Sequence, residues 1–193
     1  ARNIEINTSF DSLLSQPINA SASLISFPEE TKVNAPVLLD SAPETNVYKK
    51  LSAQVFDLQN KLRQNPSSFI PILENHLKYF NGLELQLPDQ PRIVTVEGPS
   101  AVIEAIEALK QTAPLPTISW TPEIAKACQD HATDIGLQGA YSHEGSDGSN
   151  LEERLNRYGN WQGIIGENLD FGSFEPANII ASMLIDDGSV KRG

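Results

Sequence analysis

Proline sets the frame of this chain. At Asn65-Pro66, Gly98-Pro99 and Thr121-Pro122-Glu123 it stands where one helical pattern stops or another starts. Proline lacks a backbone N–H and has a fixed φ, so it fits a first helical position and breaks a helix that would run through it. The chain so divided is dominated by helical patterns.

Between the breaks, apolar residues recur at three- and four-residue spacing, the mark of one buried helical face. From Asn46 onward, Val47, Leu51, Val55, Leu58 and Leu62 form such a face, and Phe69, Ile70, Leu73 and Leu77 form a second after Pro66. Val102, Ile103, Ile106 and Leu109 carry a third, and Pro114 and Pro116 interrupt the chain again. The fourth helix starts with Thr121 as capping hydroxyl, buries Ile124, Cys128, His131 and Ile135, and ends at Gly136 or Gly139. Ser149-Asn150-Leu151-Glu152 reads as a capping box opening a short helix over 151–158, closed by Gly159. A last helix over 175–184 stops at Asp186-Asp187-Gly188. Strand signals are scarce: one short strand at 92–96 within the turn-rich stretch 81–95. Residues 1–45, rich in Ser, Asn, Ala and Pro, read as an extended or flexible arm with short strands at 24–27 and 37–39. The folded domain is expected over 46–193.

A formal net charge of −11 repels phosphate backbones and anionic lipid surfaces, and no basic stripe offsets it, so nucleic-acid binding is excluded as a function class. No apolar run approaches the roughly 20 residues needed to cross a bilayer. The one cysteine, Cys128, leaves no internal disulfide to read. The chain starts at Ala1 without a Met, as a processed or partial chain would.

Each of the three histidines has a distinct setting. His76 lies in a polar helical stretch and is expected to face solvent. His131 shares an apolar face with Cys128, as a core histidine does. His143 sits in Tyr141-Ser142-His143-Glu144-Gly145-Ser146-Asp147-Gly148-Ser149, a loop too polar for a core and flanked by helices, where site residues tend to lie. Glu167 follows Ile164-Ile165-Gly166 and precedes Leu169 and Phe171, so its carboxylate is expected to be partly buried and to need a partner. The sequence lacks a His-Glu-x-x-His zinc motif, a Gly-x-Ser-x-Gly elbow, an EF-hand loop, a phosphate-cradling loop and a dinucleotide fingerprint. Cys128, mid-helix on an apolar face, reads as a small core residue.

The order Ala127-Cys128-Gln129-Asp130-His131, Tyr141-Ser142-His143, Glu153-Arg154-Leu155, Tyr158-Gly159, Gly166-Glu167-Asn168-Leu169 and Ile179 to Gly188 resembles the CAP superfamily: cysteine-rich secretory proteins, antigen 5 and pathogenesis-related proteins. The cysteine-poor branch of bacteria and protists is the nearest in pattern. The resemblance implies an α+β fold, an α-β-α sandwich, with a shallow cleft lined by two histidines and two acids. His143 matches the first histidine, Glu167 the first acid, and Asp186 or Asp187 the second acid. It also implies that the second histidine and the following strands lie beyond Gly193, so that the sheet-forming part is largely missing. Some members hold a divalent cation such as zinc, and here His143 would be a ligand. The function implied is that of a secreted, extracellular recognition module, non-catalytic, binding a lipid, glycan or protein partner. Two alternatives remain open: a metal-assisted hydrolase with Glu167 as general base, and a structural subunit assembled through the arm at 1–45.

Overall fold

The computed structural model describes residues 43–189, with side chains from Val47 onward. The two expected strands and residues 1–42 of the expected arm lie outside the described residues, while 43–45, expected in the arm, open α1. The fold is α+β: helices α1 (Pro43–Gln64), α2 (Ile70–Leu77), α3 (Pro99–Gln111), α4 (Pro122–Gln138), α5 (Leu151–Asn156) and α6 (Pro176–Ile185), with strands β1 (Phe80–Asn81), β2 (Glu84–Leu85) and β3 (Ile93–Val94). One 3₁₀ turn, Pro66–Phe69, leads into α2. None of the described helices is long and apolar enough to cross a membrane.

The chain divides into two compact units. In its described part, one comprises residues 43–56 and 118–172, the other 57–117 and 173–189; α1 passes from the first into the second after Phe56. In the second unit α2 packs against α3, and both touch α6. Its core is drawn from Leu62, Phe69, Leu73, Val102, Ile106, Leu109, Ile179 and Leu184, each at most 5% exposed. Each large aliphatic side chain buried in this way contributes about 1.5–3 kcal/mol. Val47 and Ile103 keep the helical period yet are more than half exposed, so they are not core residues as the spacing alone predicts.

The stretch read as turn-rich holds a complete antiparallel sheet in the order β1-β2-β3. Phe80 pairs with Leu85 and Asn81 with Glu84 across a two-residue connection at Gly82-Leu83. Gly82 has φ +62°, the left-handed conformation that tight hairpin turns place at a glycine. The strand expected at 92–96 contracts to Ile93–Val94, which pairs with Glu84 and Leu85.

Three polar side chains of this unit are buried, Gln59, Arg63 and His76. His76 is 5% exposed, contrary to the expectation of a solvent-facing residue, and its Nδ1 lies 2.9 Å from the Ile72 carbonyl oxygen one turn back. Arg63, 3% exposed, donates from Nε to the Pro116 carbonyl at 2.9 Å, while its own carbonyl accepts from Leu115 N–H at 2.7 Å. The loop between the two prolines after α3 is thereby fastened to α1.

In the first unit α4 packs on α5 through Ala127, Leu151, Leu155 and Ile165, with Ile124, Tyr158 and Trp161 at the margin. Phe56 of α1 meets Trp120 edge-on at 5.3 Å between ring centroids. Thr121 is the N-cap residue of α4, but its hydroxyl makes no capping bond; Pro122 alone marks the start. Gly136 is passed through, and Gly139, with φ +62°, ends the helix. The capping box of α5 sits one residue later than the sequence suggests. Asn150 accepts from the Glu153 N–H at 3.0 Å, and Glu153 accepts from the Asn150 N–H at 2.9 Å.

Candidate functional site

The helices α4 and α5 hold a loop, 139–150, whose shape is fixed by side chains rather than by regular pairing. Asp134, on the last turns of α4, accepts from the Ser146 N–H at 2.8 Å and from the Ser146 hydroxyl. These two bonds hold its carboxyl below the usual carboxylate range. The loop closes on itself through Gly145 N–H to the Ser149 carbonyl at 2.8 Å and Ser149 N–H to Asp147 at 2.9 Å. Gly145 is required there: a Cβ would stand 2.7 Å from Ser149 Oγ and 2.9 Å from Asp147 Oδ1.

Inside this frame lies a buried polar group built on Glu167, which is 1% exposed. One carboxylate oxygen, Oε1, lies 2.7 Å from His143 Nδ1; the other, Oε2, accepts from the Arg154 guanidinium. Arg154, 3% exposed on α5, also donates to the carbonyls of His143 and Ser149, each at 2.9 Å. The guanidinium therefore grips the carboxylate and two points of the loop that carries His143. A nitrogen facing a carboxylate carries the proton, so His143 donates through Nδ1–H, and in the neutral ring Nε2 is an acceptor. The His143 side chain is 37% exposed while Glu167 is enclosed, so the Nε2 edge is the one that reaches solvent.

His131 completes the enclosure from α4. Its Nε2 is 3.0 Å from the Ser142 carbonyl, which fixes the proton on that nitrogen, and 3.7 Å from Glu167 Oε1. Burial pushes its pKa down, against the opposing pull of the Glu167 charge, so the ring is neutral. Its Nδ1 and the Arg154 Nε are buried without a hydrogen-bond partner among the described residues. Burial, then the nearby Glu167 charge, pushes the Cys128 thiol well above its ordinary range, which makes it inert.

Of the residues read from the sequence, His143 and Glu167 are brought into direct contact. Asp186 and Asp187 belong to the second unit. There Asp187 accepts from the Val96 N–H at 2.6 Å and the Glu97 N–H at 2.8 Å, while Glu97 accepts from the Gly188 N–H at 2.8 Å. Asp186 ends α6 at φ +46°, and burial raises its carboxyl pKa against a hydrogen bond from Ser189. Sequence reasoning passed over Arg154 as a site residue. The signal was its spacing: three after Leu151 and one before Leu155, on the apolar face of α5.

A metal centre needs more donors than this group offers. Zinc takes three or four protein ligands. Both Glu167 oxygens and His143 Nδ1 are engaged with each other and with Arg154, which leaves His143 Nε2 and the buried His131 Nδ1, fewer than three donors. Among the described residues no group of three or more His, Cys, Asp or Glu side chains could hold a metal ion. The described residues thus do not fit a resident metal, and no chemical step is assigned to one.

No curated protein and no solved structure matches the chain significantly. A family model described as the cysteine-rich secretory protein family, CAP, matches residues 56–193. That match covers more than half of the chain and contains the whole Arg154–Glu167–His143 group: the protein belongs to the CAP family.

Proposed function

We propose that this chain is a non-hydrolytic recognition module that engages its partner through the exposed edge of His143. The observation that carries this reading is the state of Glu167. A carboxylate acting as general base needs an oxygen facing a nucleophile, and Glu167 has both oxygens committed to Arg154 and His143. Its role is to hold the ring in one tautomer and orientation, as carboxylates behind functional histidines do. The one thiol, Cys128, is buried away from any substrate. Secretion goes with this reading, since the matched family is described as secretory.

The carboxylate–imidazole pair also resembles the base half of a hydrolytic site, which gives metal-assisted hydrolysis its one supporting feature. The two readings part in a single comparison of the wild type with His143→Ala. Each is offered neutral lipid vesicles, a glycan array and a peptide library, and each is assayed for ester and peptide turnover with and without added zinc. Recognition requires a ligand class that binds the wild type and is lost in the variant, with turnover equal in both proteins. Turnover that disappears with His143 would overturn it, as would the absence of any ligand dependent on His143.

A further inference from the structure

The segments that carry His143 and Glu167 meet at a second point. Tyr141, two residues before His143, and Phe171, four after Glu167, stack with ring centroids 4.6 Å apart at 59°. Tyr141 is 79% exposed and Phe171 40%. Two large rings thus stand at the surface on the segments that carry His143 and Glu167, although the apolar cluster between α4 and α5 takes up the other aromatic side chains of this stretch, Tyr158 and Trp161.

We propose that Tyr141, Phe171 and His143 Nε2 form a subsite for a cationic N–H group, specifically an arginine side chain of a basic protein segment. The inference rests on the recognition reading above and names its ligand chemistry. Three observations select a cation. The face of an aromatic ring is negative and attracts guanidinium or ammonium groups, most strongly when the cation is partly desolvated. An imidazole whose Nδ1–H is given to Glu167 presents an acceptor at Nε2, and a guanidinium supplies donors only. The unit around them is acidic: residues 118–172 hold nine Asp and Glu against three Lys and Arg, a formal charge of −6. Of those three, Arg154 is buried on Glu167 and Arg157 is paired with Asp147 at 2.7 Å. Glu144, beside His143, is exposed. Anionic ligands meet repulsion here, and a neutral glycan gains nothing from the charge. Arginine fits better than lysine because its planar group stacks on a ring while its edge donates to a nitrogen in the same plane.

The test uses the full chain and a fluorescein-labelled peptide of alternating arginine and glycine. Its control is the same peptide with citrulline, which has arginine's shape without the charge. Anisotropy is read at about 150 mM salt, where long-range surface attraction is largely screened. The variants are Tyr141→Ala/Phe171→Ala and Tyr141→Leu/Phe171→Leu; the second pair keeps apolar area and removes the π faces. The arginine peptide should bind and shift the His143 ring resonances in NMR spectra. The citrulline peptide, and both double variants with the arginine peptide, should bind about tenfold more weakly. Equal binding of the citrulline peptide, or unchanged binding by the leucine variant, would overturn the subsite. Failure of the arginine peptide beside a neutral ligand that needs His143 would sink the subsite and leave the recognition reading intact. Peptide turnover lost in His143→Ala, with arginine binding by the wild type that depends on both the rings and His143, would support the subsite while refuting the non-hydrolytic reading.

Discussion

Replacing Arg154 by methionine isolates the interaction on which the site depends. Methionine keeps the length and apolar stem of the side chain and deletes the guanidinium. Lost with it are the bonds to the His143 and Ser149 carbonyls, each 2.9 Å, and the contact with Glu167. Glu167, 1% exposed, is then left with His143 as its one close hydrogen-bond partner. Removing one member of a buried ion pair costs about 3–5 kcal/mol, because the remaining charge stays desolvated. Total stabilities are about 5–15 kcal/mol, so the loss is a large fraction of the whole.

We expect the urea midpoint of Arg154→Met to fall without a change in m-value, and the thermal midpoint to drop by roughly 6–20 °C at about 2–4 °C per kcal/mol. Glu167→Gln in the same background removes the stranded charge. The double variant should therefore be more stable than the sum of the single losses requires, by about 1–3 kcal/mol. An Arg154→Met protein within about 1 kcal/mol of the wild type would refute the reasoning. So would strict additivity of the two substitutions, which would mean that Glu167 does not depend on Arg154.

Three further outcomes follow from the same unit. Burial lowers the His131 pKa in the folded state, so below its unfolded value of about 6.5 the unfolded chain binds more protons and stability falls with pH. Unfolding midpoints measured between about pH 7.5 and 5.5 should slope less in His131→Gln; an unchanged slope would contradict a neutral buried ring. Gly145→Ala forces a Cβ to 2.7 Å from Ser149 Oγ and should cost about 1–3 kcal/mol, read as a thermal midpoint, whereas Gly159→Ala, which meets nothing within 4 Å, should cost less. Cys128 should resist a thiol reagent in the native protein and react fully in denaturant; rapid native labelling would show that α4 does not bury it.

Much of the fold was legible because proline and three- and four-residue spacing act over whole helices. The starts at Pro99 and Pro122 agree with the structure to the residue, and of the two stops left open, Gly136 and Gly139, the structure takes Gly139. Of the sheet, only β3 was legible, as the strand at 92–96. Its strands are two residues each, shorter than any period, and only Gly82 marked the hairpin. Ser149 and Asn150 are both good caps, with Glu152 and Glu153 three residues beyond them, and hydrogen-bond geometry alone decides for Asn150. At the site, the pairing of His143 with Glu167 came from the order of flanking motifs, since spacing says nothing about contacts across 24 residues.

The misreadings at His76 and Arg154, and the silence on Arg63, share one cause: a polar residue at an apolar helical position was discounted because it is polar. Phe69, Leu73 and His76 follow a helical face, as do Val55, Leu62 and Arg63, and Leu151, Arg154 and Leu155. Each of these three side chains is buried and reaches a backbone carbonyl. Burying a cation in this way is a poor route to stability, since apolar residues of similar volume often do as well or better. What it provides is position. Arg63 holds the chain at Pro116, and Arg154 holds the His143 and Ser149 carbonyls together with the carboxylate that orients the His143 ring. Arg154 does this although, among the described residues, its Nε and the Nδ1 of neighbouring His131 find no hydrogen-bond partner. A core selected for stability alone would replace that group with leucine and lose a fixed imidazole edge at the surface.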